Sequence, residues 1–416
     1  LGYTELTISN GIQVVLKPTN FKNDEILISS YSPGGKSLVP DNDFMSVNYA
    51  ASIIDMSGVG NFDNIELEKK LKGKNLRINP YIDDEKEGFR GNCTPKDFQT
   101  LMQLIWLYFE SPRKDTTAFQ AFMSQMENQL KFAKSSPIAS FYDTLYKSMF
   151  PDYKRMVIFP TPAQLNDVSL EKAYKIYKDR FADAGDFKFF MVGNFNIDTI
   201  APFIEQYFGS LPALNRNETW KDLSPNFHEG VTNLTFNKGT DPQSMVGIVM
   251  SEPFAWDEKT VIQLRMLNEI MSIKLVEVIR EKMSGVYSPQ VMFNWDKYPK
   301  PQVMMIVMFG CSPKMPDKLT KAVFGEMKKI LKKGPMAEDL NKAKESMIRK
   351  RETDIERNDF WLNKLESLYY NQDSQASVTD YKDRVNAVTA EDLKRSASLI
   401  FKPEHYVRVV LMPEKK

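Results

Sequence analysis

The feature that most constrains this chain is that it repeats itself. Residues 92–96 read Asn-Cys-Thr-Pro-Lys and residues 310–314 read Gly-Cys-Ser-Pro-Lys, 218 positions apart. Val168-Ser169-Leu170-Glu171 returns as Val388-Thr389-Ala390-Glu391 at an offset of 220, and the apolar runs 187–193 and 406–412 lie 219 apart. In the second pair, a Ser or Thr able to cap a helix precedes an acid in the first turn. Three matches at nearly one offset imply two homologous units, 1–213 and 214–416, joined through the polar stretch 209–230. The length agrees, because 416 residues exceed what one core usually organises. Cys93 and Cys311 hold equivalent places in the two units, which makes them poor candidates to bond each other. Two cysteines make no disulfide framework and decide no compartment.

Within a unit the pattern groups strands with strands and helices with helices. The first opens on a hairpin, alternating apolar residues on either side of Asn10-Gly11. A strand at 25–31, a helix at 43–57, strands at 75–83 and 87–93, and helices to 181 follow. The second repeats this with strands 231–237 and 244–250 and a long helix 257–283, where Leu264, Leu267, Met271, Leu275 and Val278 keep helical spacing. Strands 286–295 and 302–310 come next, then helices across 316–400. Grouped rather than alternating elements indicate an α+β fold, each unit a mixed or antiparallel sheet with helices packed on one face.

Composition removes several classes of function. Lys and Arg number 55 against 54 Asp and Glu, so charge gives no support to a nucleic-acid or anionic-membrane partner. No window approaches 18 uninterrupted apolar residues, so no spanning helix is expected. The chain opens Leu1-Gly2-Tyr3 without a Met or signal peptide, from which a piece of a longer polypeptide, or a mature form, is expected. No Gly-x-Ser-x-Gly elbow, phosphate-cradling glycine loop or Cys beside a His occurs.

The doubled architecture resembles half of an insulinase/pitrilysin-type zinc peptidase (an inverzincin), in which four such units form two bowl-shaped halves around a peptide. The segments that carry the resemblance are the Ser32-Pro33-Gly34-Gly35 turn, Phe189–Phe195 leading to Leu211-Pro212, and Arg280–Ser288. The last looks like the family's Arg…Tyr pair, spaced seven apart, in the half opposite the metal. The resemblance implies that Arg280 and Tyr287 face the shared chamber, bind substrate and hydrogen-bond the scissile carbonyl as it becomes an oxyanion. The residues by themselves allow a structural reading as well: Arg280 in the last turn of a helix, Gly285 as its C′ residue, Tyr287 in a strand core.

The family's catalytic half carries His-x-x-Glu-His on the helix after the third strand, two His for zinc and a Glu base. The matching helix here reads Ala50-Ala51-Ser52-Ile53-Ile54-Asp55-Met56. Ala51, Ile54 and Asp55 fall on the motif positions, leaving one oxygen donor and no base. Glu127, near the place of the third ligand, is read as a solvated helix residue. The two histidines, His228 and His405, are far from any metal spacing, and Asp83–Glu87 reads as a solvent-facing charged turn.

The resemblance therefore implies the C-terminal, non-catalytic half of a zinc metalloendopeptidase. It binds no metal itself; zinc belongs to a complementary half, on the same polypeptide or a separate subunit, and the substrate is a peptide. The alternative is a free-standing pseudo-peptidase that binds peptides or partners a catalytic subunit. Periplasm or cytoplasm are both open, with periplasm favoured by the resemblance.

Overall fold

The computed structural model describes residues 1–286 and 288–414. Its chain forms two compact units, each built on one sheet. The strands are β1 (Thr4–Thr7), β2 (Gln13–Pro18), β3 (Ile26–Pro33), β4 (Leu76–Ile82), β5 (Lys86–Cys93) and β6 (Lys188–Gly193) in the first sheet. The second holds β7 (Val231–Asn237), β8 (Ser244–Pro253), β9 (Gln290–Asp296), β10 (Gln302–Cys311) and β11 (Tyr406–Met412).

The sheet orders give the repeat its structural form. The first sheet runs β1-β2-β6-β3-β5-β4 and the second β7-β11-β8-β10-β9. Leaving β1 aside, the two orders superpose strand for strand. Each has one parallel pair, β2 with β6 and β7 with β11, in an otherwise antiparallel sheet. Cys93 and Cys311 end the equivalent strands β5 and β10, both buried and free. The Asn10-Gly11 hairpin forms as β1–β2, with Gly11 at φ 99°, a conformation that glycine adopts without steric cost.

Alternation along the strands sends one set of side chains to each face. In the second unit Val246, Ile248, Met250, Val303, Met305 and Val307 meet the helices Glu258–Leu275, Pro316–Lys333 and Ala390–Ile400. The opposite face is covered too. Val249, Ile306, Met308, Val407 and Val409 pack on Phe141, Leu145 and Met149 of the helix Pro137–Met149. In the first unit Val15, Tyr31, Phe190 and Val192 likewise pack on Leu365 of the helix Asn358–Asn371.

These two covering helices come from unexpected parts of the chain. The first compact unit comprises 1–129, 160–223 and 353–373; the second comprises 130–159, 224–352 and 374–416. The sequence repeat and the compact units are thus different divisions of the molecule. Periodicity identifies a helix by its own apolar stripe but does not say which sheet receives it.

Candidate functional site

The helix Phe44–Ser57 follows β3 and carries Ala51, Ile54 and Asp55. Ala51 and Ile54 are buried, 9% and 0% exposed, and supply only hydrocarbon. Asp55 is fully engaged: Tyr108 Oη donates to Oδ1 at 2.5 Å and Asn79 Nδ2 to Oδ2 at 3.0 Å. Burial raises the Asp55 pKa, against the pull of these two bonds. A zinc ion needs several donors with free lone pairs, and this helix offers one carboxylate whose oxygens are already bonded, so the residues do not fit the metal. Glu127 is exposed on the helix Thr116–Ser135. His405 joins Glu252 through Nδ1 and the His228 carbonyl through Nε2, both at 2.7 Å, and His228 bonds Thr232. Among the described residues no group of three His, Cys, Asp or Glu could hold a metal.

The Arg280 segment is built differently. Asp257 caps the helix Glu258–Leu275, its carboxylate accepting from Thr260 N–H at 2.8 Å. Leu264, Leu267, Met271 and Leu275 are wholly buried, as their spacing requires. The helix then widens into a π-helical stretch, Val276–Lys282, where Met283 N–H reaches the Val278 carbonyl at 3.1 Å. Such stretches are rare and occur often at functional sites. Ile279 stays buried while Arg280, Glu281 and Lys282 are exposed. Among the described residues Arg280 makes no hydrogen bond or ion pair, whereas nearby Lys274 holds both Glu277 and Asp339. A guanidinium with five unspent donors can bind a carbonyl or oxyanion.

The end of this segment corrects one expectation. Ser284, not Gly285, takes the left-handed position, at φ 48°. Gly285 N–H closes the turn on the Ile279 carbonyl at 3.0 Å. Gly285 serves another purpose: a Cβ there would lie 2.6 Å from Leu319 Cδ2, and Leu319 is 0% exposed. The chain thus passes directly over the Pro316–Lys333 helix before Val286 bridges to Cys311. Tyr287 lies outside the described residues.

A buried charge cluster in the first unit was not foreseen. Asp83–Glu87 is only partly the solvent-facing turn the sequence implies, because Glu87 is 0% exposed. Its Oε2 accepts from Gly35 N–H at 2.6 Å, and Oε1 faces Arg180 Nη1 at 3.8 Å. Arg180 also binds Glu218 at 2.8 Å and Asp179 at 2.7 Å. Gly34 is required here, since a Cβ would sit 2.7 Å from Arg180 Nη1. Burial raises Glu87 well above the usual carboxylate range, and burial lifts Asp186, which accepts from Ser32 Oγ, to about 6. The signal for this cluster was the Pro33-Gly34-Gly35 turn, where paired glycines mark a close approach of chain segments.

The sequence profile described as "Peptidase M16 inactive domain" matches residues 167–347. Residues 167–347 thus resemble the inactive domain of the M16 peptidase family. It is 24% identical over 410 residues to a probable zinc protease, PqqL, of Haemophilus influenzae, covering 95% of this chain and 43% of the relative. The periplasmic protease PqqL of Escherichia coli superposes with a TM-score of 0.83 at 19% identity, covering 99% of this chain and 46% of that one. An M16 inactive domain from Pseudomonas fluorescens gives 0.79 at 14% identity, over 100% of this chain and 99% of its own length. The chain thus spans about half the length of the curated relatives it matches. No helix among the described residues is long and apolar enough to cross a membrane.

Proposed function

We propose that this chain is the non-catalytic half of a zinc metalloendopeptidase, forming one wall of its peptide-degrading chamber. The observation that carries the proposal is Arg280: exposed, without a described partner, and set on a π-helical turn. In this reading Arg280 and Tyr287 bind the peptide at its scissile carbonyl and donate hydrogen bonds to that oxygen as it gains charge. A fixed cation costs little reorganisation when the charge appears, which makes it more effective there than water. The metal and the general base come from a complementary half, on the same polypeptide or a separate subunit, because the helix holding Ala51, Ile54 and Asp55 has neither. Peptides are the substrates, and the likeness to periplasmic PqqL supports a periplasmic setting.

The test is the zinc-bearing enzyme with Arg280→Ala or Tyr287→Phe. Loss of one donor to a developing oxyanion lowers kcat by about 10²–10³-fold. The zinc content and Tm of the enzyme should not change, and Arg280→Lys should recover part of the rate. Unchanged kcat in both variants defeats the oxyanion role. A second reading, a free-standing pseudo-peptidase subunit, draws on the P. fluorescens neighbour, which matches over 99% of its own length. It is favoured if the chain binds peptides with no catalytic half present and kcat of the combined halves ignores Arg280.

A further inference from the structure

The two sheets differ at one edge. In the first, the outer side of β2 is covered by β1, antiparallel, with Thr4 opposite Leu16 and Thr7 opposite Gln13. Among the described residues the equivalent strand β7 is the last in its sheet, and most of its residues are exposed. Its inner side is fixed on β11: Tyr406 N–H reaches the Gly230 carbonyl and Lys238 N–H the Met412 carbonyl, both at 3.0 Å. Backbone groups alternate in direction along a strand. Even-numbered residues therefore face β11, and the N–H and C=O groups of Val231, Asn233, Thr235 and Asn237 point outward, unpaired among the described residues.

A cleft of about 510 Å³ lies beside this edge. Its floor includes Asn233 of β7 and its register partner Arg408 of β11. Its wall is the helix Pro316–Lys333, which contributes Thr320, Lys321, Phe324 and Lys328 at helical spacing. Gly325 opens that wall, since a Cβ there would meet nothing within 4 Å. Glycine weakens a helix relative to alanine, so its place on the cleft side leaves room at a cost to the helix. The charge is one-sided. Asp317, the cleft's one carboxylate among the lining residues, is taken by Arg408 at 2.7 Å. Lys321 and Lys328 are exposed and have no ion pair among the described residues.

We propose that β7 and this cleft bind an extended acidic peptide segment, which adds antiparallel to the bare edge as β1 adds to β2. Main-chain bonds to Asn233 and Thr235 supply the affinity, and acidic side chains on alternate residues enter the cleft toward Lys321 and Lys328. The groove acts in this chain alone, so it stands apart from whatever Arg280 does in cleavage.

The experiment is fluorescence anisotropy of the purified chain with a fluorescein-labelled, N-acetylated octapeptide of alternating Val and Glu. A peptide of alternating Val and Lys is the control. The proposal expects saturable one-to-one binding of the acidic peptide, at least tenfold tighter than the control. Thr235→Pro removes an outward N–H and leaves the β11 ladder intact; Gly325→Phe fills the cleft; Lys321→Glu with Lys328→Glu inverts the charge. Each should weaken binding at least tenfold with an unchanged Tm. Three results overturn the proposal. One is no binding of the acidic peptide. Another is binding that survives Thr235→Pro in a folded variant, which would be charge attraction without strand addition. The third is sedimentation showing that a second copy of the chain fills the edge.

Discussion

The helix after the third strand in the first unit and its counterpart in the second began from one plan and ended at opposite extremes. In Phe44–Ser57 the polar group at the functional position, Asp55, has both oxygens bonded, to Tyr108 and Asn79. At the end of the Glu258–Leu275 helix, Arg280 is solvent-exposed with no described partner. Under the role proposed for Arg280, the difference separates a retained site from an abandoned one. A polar residue kept for the fold has its hydrogen bonds made within the protein, because a buried group left unpaired is costly. A residue kept for a ligand holds its donors open.

That contrast can be broken or sharpened by substitution. The largest stability effect is expected at the charge cluster of the first unit. Arg180→Met removes the guanidinium that faces buried Glu87 and bonds Glu218 and Asp179, and should cost about 1.5–3 kcal/mol in urea unfolding. A cost below about 1 kcal/mol would mean the cluster is solvated. Next is Gly285→Ala, which presses a methyl against Leu319 and should destabilise by about 1–3 kcal/mol. Tyr108→Phe removes one of the two bonds that hold Asp55, and about 1–2 kcal/mol of stability should go with it. Arg280→Ala should leave the unfolding free energy within about 0.5 kcal/mol of the parent, as expected of an exposed residue with no hydrogen bond or ion pair among the described residues. A large loss there would turn Arg280 into a structural residue and erase the contrast.

A separate test is a pH slope. Burial lifts Asp186 to about 6, above the value of about 3.9 for an aspartate in an unfolded chain. The folded protein therefore binds this proton more tightly than the unfolded one. The contribution to stability is full below about pH 4 and is lost as pH rises through about 6. Asp186→Asn, neutral throughout, should flatten that part of the stability curve measured by urea unfolding at successive pH values. An identical slope in both proteins would place the titration elsewhere.

The sequence carried the α+β class and the repeat because both rest on local periodicity and on one offset. The sequence also shows that Ala51 and Ile54, the residues expected at the motif positions, cannot ligate a metal whatever surrounds them. It did not carry the second-face helices. Pro137–Met149 and Asn358–Asn371 look like ordinary amphipathic helices, and their destination is set by shape complementarity between distant segments. Glu87 was hidden for a related reason. A run of charges reads as a surface turn, and only the approach of Gly35 and Arg180, 52 and 93 positions away, shows that its last member turns inward. The helix Asn64–Leu71 was missed although Asp63 and Glu66 form a capping box, a signal present in the sequence. The π-turn before Arg280 has no comparable signature, because widening by one residue preserves the composition of the helix.

The central claim is that this chain holds no catalytic metal. It is tested most directly by the zinc bound per chain after equilibrium dialysis against micromolar zinc and desalting, read by elemental analysis. The account predicts a value near zero, unchanged by Asp55→Ala. A value near one zinc per chain, lost on Asp55→Ala, would contradict it and restore a metal site to the first unit.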